Sequence, residues 1–291
     1  MTPLRKRMTE ELQLRNLSPV TARMYLKVVE RFARHFHSSP ERLGSKEVRE
    51  WLLYLINERK VTTTTVQIHR AALRFLYSAM LKQSWFDEAI PLPKRIRKLP
   101  EVIAACDVAE ILNRTANLKH WTIIATLYAT GVRLDELIHL KISDIDSKLM
   151  VIHIRQGKGR IPRDIVLSPI LLERLRIYCR RYKPRLWLFP SERRSEGLLD
   201  QRTIRYLCRN AGQRAGLKQR IHPHLFRHAC ATHMLEAGAD LRTIQHLLGH
   251  ADLGTTARYL HVSAQMIQAV RSPLDTLPLS PVASEQDKRQ R

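Results

Sequence analysis

The chain has 291 residues, room for two ordinary domains, and its 44% hydrophobic and 26% charged residues exclude a disordered or a membrane-embedded protein. Fifty Lys and Arg against 27 Asp and Glu leave a net charge of +23. Residues 1–100 hold 20 basic and 9 acidic side chains, a net +11, and the remainder carries +12, so both halves suit a polyanionic partner. Composition by itself still allows a protein that merely coats nucleic acid.

The basic N-terminus has no apolar run behind it and does not read as a secretory signal. No stretch reaches the roughly 20 apolar residues that span a bilayer. The four cysteines, Cys106, Cys179, Cys208 and Cys230, form no CxxC pair, which argues against a zinc ribbon or a disulfide framework and fits a reducing compartment. The expected location is the cytoplasm, associated with the nucleoid and with no membrane partner.

The first region reads as helices. Ser18 and Pro19 make a start signal, a capping hydroxyl followed by proline at the first helical position. Val20, Met24, Val28, Phe32 and Phe36 follow at four-residue spacing and are expected on one buried face. A second amphipathic segment begins near Ser45 with Trp51, Leu52, Leu55 and Ile56. A third runs from about Thr64 to Gln83 with Ala72, Phe75, Leu76, Ala79 and Met80. Residues 91–100 (PLPKRIRKLP) combine three prolines with Lys94, Arg95, Arg97 and Lys98. Proline at this density stiffens an extended connection, so the domain boundary is placed here, in a basic linker that either faces a duplex or is a solvated spacer.

Beyond the linker, Asp107 to Glu110 resembles a capping box. An apolar helix (HWTIIATLYAT) follows and ends at Gly131. Strand-like LMVIHIR and IPRDIVL flank the glycine turn QGKGR, which predicts a β-hairpin. Helices resume from Ser168, four or five of them, to about residue 270. The polar, proline-rich end is expected to be a flexible tail. The fold class is therefore mainly α, a helical N-terminal domain at 1–90 and, after the linker at 91–100, a mixed α+β domain at 101–271 with a small β-hairpin or sheet, then a tail at 272–291.

Several short segments could do chemistry. In GVRLDEL (131–137), Arg133 and Glu136 lie three apart at a helix start and share a face, so Glu136 could hold the guanidinium, although a surface ion pair has the same spacing. QGKGR (156–160) sets Lys158 at the tip of a tight turn with Arg160 beside it. Lysine there is either a mobile charge for a phosphate or an ordinary loop residue. No GxxxxGK[ST] nucleotide loop occurs. In IHPHLFRHACATHMLE, His224, Arg227 and His228 follow Pro223 at helical spacing. The histidine density invites a metal, but HExxH is absent, no carboxylate shares the face, and Arg227 favours an anion. His250 closes LLGH, and Tyr259 lies nine residues on in ARYLHV, where a tyrosine is commonly half-buried core.

Taken in order, these segments resemble the tyrosine recombinases, the family of Xer-type resolvases, phage and integron integrases and Cre-type enzymes. The likeness is close over 101–270 and looser over 10–90. GVRLDEL is similar to the first arginine box, GKGR to the hairpin lysine, HPHLFRHACATHMLE to the His-x-x-Arg box, LLGH to the second histidine, and ARYLHV to the nucleophile box. Phe226 departs from the leucine more common before the arginine. The resemblance implies a core-binding (SAM-like) N-terminal domain, a catalytic domain with Arg133, Lys158, His224, Arg227, His250 and Tyr259 as catalytic residues, and a clamp of both domains around each duplex. It also implies a 3′-phosphotyrosyl intermediate, strand exchange through a Holliday junction in a homo-tetramer on two DNA sites, and no metal, ATP or other cofactor. The C-terminal segment is a candidate for docking on a neighbouring protomer, and an accessory protein or partner recombinase is a further candidate partner. The chain begins directly at the core-binding helices, without the arm-binding domain of lambda-type integrases, which favours a Xer-like or transposon-borne type. The rival readings are a DNA-relaxing type IB topoisomerase and a non-catalytic DNA-binding or architectural protein.

Overall fold

The computed structural model describes residues 2–93, 101–155, 162–191 and 197–249. The chain divides into two compact units, Met1–Lys98 and Leu99–Arg291. Among the described residues no helix is long and apolar enough to cross a membrane.

The first unit is all helical: α1 (Pro3–Leu14), α2 (Pro19–His35), α3 (Ser45–Asn57), α4 (Thr63–Arg74) and the short α5 (Phe86–Ala89). Hydroxyl caps start three of them. Thr2, Ser18 and Thr62 accept from the backbone N–H of Arg5, Thr21 and Thr65, satisfying donors that have no partner inside the helix. Helix α1 has no counterpart among the elements expected from the sequence, where this stretch is only a basic terminus. Its i, i+4, i+8 residues Leu4, Met8 and Leu12 are buried.

The stripe expected on α2 is only half correct. Val28 and Phe32 are buried, but Val20 and Met24 are 70% and 38% exposed. A strict four-residue repeat advances about 40° per step beyond a full turn, so five such residues sweep off any one face. The buried face is completed by Val29 instead. For the same reason Ile56 is 46% exposed on α3, while Trp51, Leu52 and Leu55 are buried.

Helix α4 continues into a wide π-helical stretch, Phe75–Met80, which brings Leu76, Tyr77 and Met80 into the core. The Tyr77 hydroxyl donates to the Pro40 carbonyl at 2.8 Å, and Phe32 packs edge-on against Trp51 and Tyr77. Arg70 is buried on α4 and donates to the Ile90 carbonyl and to Asp87, tying the end of the unit back onto the bundle.

The second unit holds α6 (Ala105–Asn113), α7 (Leu118–Thr130), α8 (Leu134–Ile138), a three-stranded antiparallel sheet, α9 (Pro169–Tyr182), α10 (Gln201–Arg214), α11 (Pro223–Glu236) and α12 (Leu241–Leu248). The expected cap at Asp107 is displaced. Helix α6 starts at Ala105 without a side-chain cap, and Asp107 lies inside its first turn, where a carboxylate still complements the helix dipole.

The sheet comprises β1 (Ile145–Asp146), β2 (Val151–Ile154) and β3 (Arg163–Val166), in the order β1-β2-β3. Ile152 pairs with Ile165 and Ile154 with Arg163. Side chains alternate across a strand, so Ile165 and Arg163 both face the core of this unit, and Asp164 and Val166 face outward. Helix α7 carries Ile123, Ile124 and Leu127 into that core between α9 and α11. Its turn into α8 passes through Gly131 at φ +59°, a conformation that suits glycine.

Candidate active site

Three arginines and one carboxylate meet where α8, β3, α11 and the end of α12 come together. Arg133 is the N-cap of α8, and the Glu136 carboxylate reaches back to its N–H at 2.8 Å. This is the reciprocal half of a capping box, with an arginine in place of the usual small polar residue. The Arg133 side chain continues outward from there. Its Nη1 donates to Glu136 Oε1 at 3.0 Å and to the Leu248 carbonyl at 3.3 Å, and its Nη2 donates to the Gly249 carbonyl at 2.7 Å.

Arg227 arrives from the first turns of α11, which begins at Pro223 with His222 as N-cap. Its Nη1 donates to the Gly131 carbonyl and its Nη2 to the Leu248 carbonyl, both at 2.6 Å. Both arginines thus grip the last carbonyls of α12, the negative end of that helix. Asp240 caps the other end of α12, accepting from Arg242 and Thr243. Gly249 then turns the chain at φ +62° and leads in sequence to His250.

The third arginine, Arg163, is not among the residues that the sequence singles out. It is 5% exposed and forks onto Glu136, with Nη1 to Oε1 at 3.1 Å and Nη2 to Oε2 at 2.8 Å, while its Nε donates to the Leu247 carbonyl at 2.7 Å. The signal lay in the strand: Arg163 shares parity with Ile165 and therefore faces inward. The expectation that Glu136 could hold Arg133 thus acquires a second partner. Burial would raise the Glu136 pKa, but the Arg163 hydrogen bonds, the Arg133 N–H and both positive charges bring it down to about 2.

His224 stands at the solvent-facing side of the cluster, on the first turn of α11. Loss of hydration on its inner side lowers its pKa, and Arg227, His222, Arg133 and Arg205 add to the effect. The ring is therefore held neutral, a state that can accept a proton. His222 is likewise absent from the sequence-based candidates. Its Nδ1 accepts from the Leu225 N–H at 3.2 Å, so it serves as the helix cap. His233 pairs with the Tyr128 hydroxyl at 3.0 Å. Among the described residues, no group of three or more His, Cys, Asp and Glu is arranged to hold a metal ion.

The cluster thus gathers Arg133, Glu136, His224 and Arg227, four of the residues singled out from the sequence. Lys158, His250 and Tyr259 lie outside the described residues, as do Lys94, Arg95, Arg97, Lys98 and Arg160 and the whole segment 272–291. What the described part offers is a partly exposed guanidinium, a buried one behind it, and a neutral imidazole above. Such a set can bind an oxyanion and take up a proton beside it.

Residues 98–266 match the family described as "Phage integrase family", and residues 4–87 match "Phage integrase, N-terminal SAM-like domain". The y4qK protein of Sinorhizobium fredii is 44% identical over 279 residues, covering 96% of this chain and 90% of the relative. The tyrosine recombinase XerC of Bacillus licheniformis is 31% identical, covering 89% of this chain and 91% of its own length. The fold is similar to that of a lambda integrase tetramer bound to a Holliday junction, at a TM-score of 0.72 and 20% identity over 87% of this chain and 75% of that one.

Proposed function

This chain belongs to the phage integrase family, and on that basis we propose that it is a site-specific DNA recombinase that cuts and rejoins strands through a covalent bond to Tyr259. The observation that carries the reading is the meeting of Arg133 and Arg227 at the end of α12, with His224 beside them. A scissile phosphate bound there meets two forked donors, and preorganised donors of this kind contribute about 3–4 kcal/mol each to the transition state.

In the proposed step the Tyr259 oxygen attacks phosphorus and the bond to the 5′ oxygen breaks. The tyrosine proton leaves toward His224, and Lys158 protonates the departing 5′ oxygen. His250 hydrogen-bonds the phosphate, and Glu136 holds Arg133. One phosphodiester is exchanged for another, so rejoining by the free 5′ hydroxyl of a second strand needs neither ATP nor a metal. Lys94, Arg95, Arg97, Lys98 and Arg160 are assigned to the DNA backbone. Residues 1–90 serve as the core-binding domain and 101–271 as the catalytic domain. Four protomers act on two sites, with an accessory protein or a second recombinase as an additional partner, in the cytoplasm at the nucleoid. A purely architectural or DNA-relaxing role draws no support from relatives named integrase/recombinase and tyrosine recombinase.

The test is incubation, without metal or ATP, with nicked suicide duplexes drawn from DNA flanking the gene. The expected result is a protein–DNA adduct on a denaturing gel that is absent with Tyr259→Phe. An adduct that persists in that variant overturns the assignment of the nucleophile.

A further inference from the structure

The arrangement of charge around Glu136 points to a role for a residue outside the set matched to the family. We propose that Arg163 is a positioning residue, the counterion that neutralises Glu136 beneath Arg133 and so leaves the charge of Arg133 for the substrate phosphate. This rests on the recombinase reading above.

The carboxylate of Glu136 has two arginines but one charge to share between them. Their claims are unequal. Arg163 engages both oxygens with the two ends of its fork, and its side chain is 2% exposed, against 1% for Glu136. Arg133 offers one side-chain nitrogen to one oxygen, and its side chain is 21% exposed. The buried pair Arg163–Glu136 is thus closely matched, and the net positive charge of the trio resides on the guanidinium nearest solvent.

Arg163 is also locked in place. Its Nε donates to the Leu247 carbonyl, and its guanidinium lies so close to Gly249 that a Cβ there would come within 2.9 Å of Nη1. A planar fork fixed at three points loses little on binding. Remove the positive charge of Arg163, and a carboxylate in a dry site is left, among the described residues, with Arg133 as its ion-pair partner. A buried charge that loses its partner takes the nearest replacement or unfolds the site. Arg133 would then be drawn onto Glu136, and its charge would be cancelled where a phosphate needs it.

The alternative is that Arg163 is only a staple that holds the end of α12 through Leu247. The two roles separate by charge. Arg163→Lys keeps the charge but loses the fork and the bond to Leu247. Arg163→Gln keeps a donor but loses the charge. Arg163→Gln with Glu136→Gln loses both charges together, so no unpaired ion is buried and the amide oxygen introduced at position 136 can still accept from Arg133.

The measurement is the single-turnover rate of adduct formation on the suicide duplex, with duplex affinity and thermal unfolding followed in parallel. The counterion role predicts that Arg163→Gln loses at least about tenfold in rate, the penalty of one weakened phosphate contact. Arg163→Lys and the double variant should each cleave faster than the single Gln variant. Should Arg163→Gln fail to fold, the other two still decide, since the proposal requires both to cleave. It is overturned if Arg163→Gln cleaves at the native rate, or if Arg163→Lys or the double variant is as inactive as Arg133→Ala. A native protein that forms no adduct at all refutes the recombinase reading instead, so the two failures are distinct.

Discussion

Arg227 is 3% exposed, and a guanidinium so deeply placed persists because backbone carbonyls receive its protons. Those carbonyls belong to Gly131 and Leu248, so the side chain joins two chain turns as well as facing the site. Arg227→Lys keeps the charge but cannot reach both acceptors at once. It should reduce the rate of adduct formation by roughly 10²–10³, the cost of one preorganised donor, with a much smaller change in duplex affinity. Single-turnover cleavage and a binding titration on the same duplex separate the two effects. The Arg133–Glu136 contact was open to sequence reasoning because a spacing of three sets both on one helical turn. Arg163 was not, because its partner lies 27 residues away on another element.

A second residue ties the stability of the first unit to pH. His69 is buried, and its Nδ1 accepts from the Trp51 indole N–H at 3.2 Å. Burial, helped by Arg31, lowers its pKa from 6.5 to about 4. The unfolded chain therefore takes up the proton first, and the stability held above pH 6.5 is lost as the pH falls toward about 4. His69→Gln, which retains an acceptor for Trp51, should flatten the decline over that window. Tryptophan-monitored unfolding across the range checks it, and an unchanged slope would remove His69 as the cause.

A glycine at one turn decides how elements of the second unit fit. Gly131 sits at φ +59°, and a Cβ there would come 2.7 Å from Leu248 and 3.2 Å from Cys230. Gly131→Ala is thus strained in its backbone and crowded against both α11 and α12. The expected loss is about 1–3 kcal/mol, read as a lower denaturant midpoint at constant slope. The helix end at Gly131 and the hairpin at β2–β3 were legible from glycine placement and residue type. Spacing by four predicts only part of the α2 stripe, because it tracks a face for only two or three turns. Which part of the sweep is covered depends on the helices packed against it. Helix α1 gives a weak signal in the sequence, since Leu4, Met8 and Leu12 are thinly spread among charged residues.

Over the whole molecule, the excess of +23 is shared by both halves of the chain. Proposed contacts from Lys and Arg to phosphates displace counterions, and the affinity should fall steeply with salt. Six or more such contacts predict a loss of at least about 10³-fold between about 50 and 200 mM salt. A titration series over that range gives the slope, and a shallow one would argue against an extended phosphate interface.

The sequence alone determined the basic balance and the helical architecture with one small sheet, and the order of its segments carried the resemblance to the integrases. Spacing of three or four residues, glycine at turns and proline at helix starts act over single turns of chain, so they can be read without knowing what lies opposite. The distribution of charge inside the site, by contrast, was settled by packing between elements. Glu136 on α8 is neutralised by Arg163 on β3, and the two are joined by hydrogen bonds in a space closed by the end of α12. A buried ion pair is a property of the dry volume between elements, and no local pattern in the chain specifies which distant side chain will fill it.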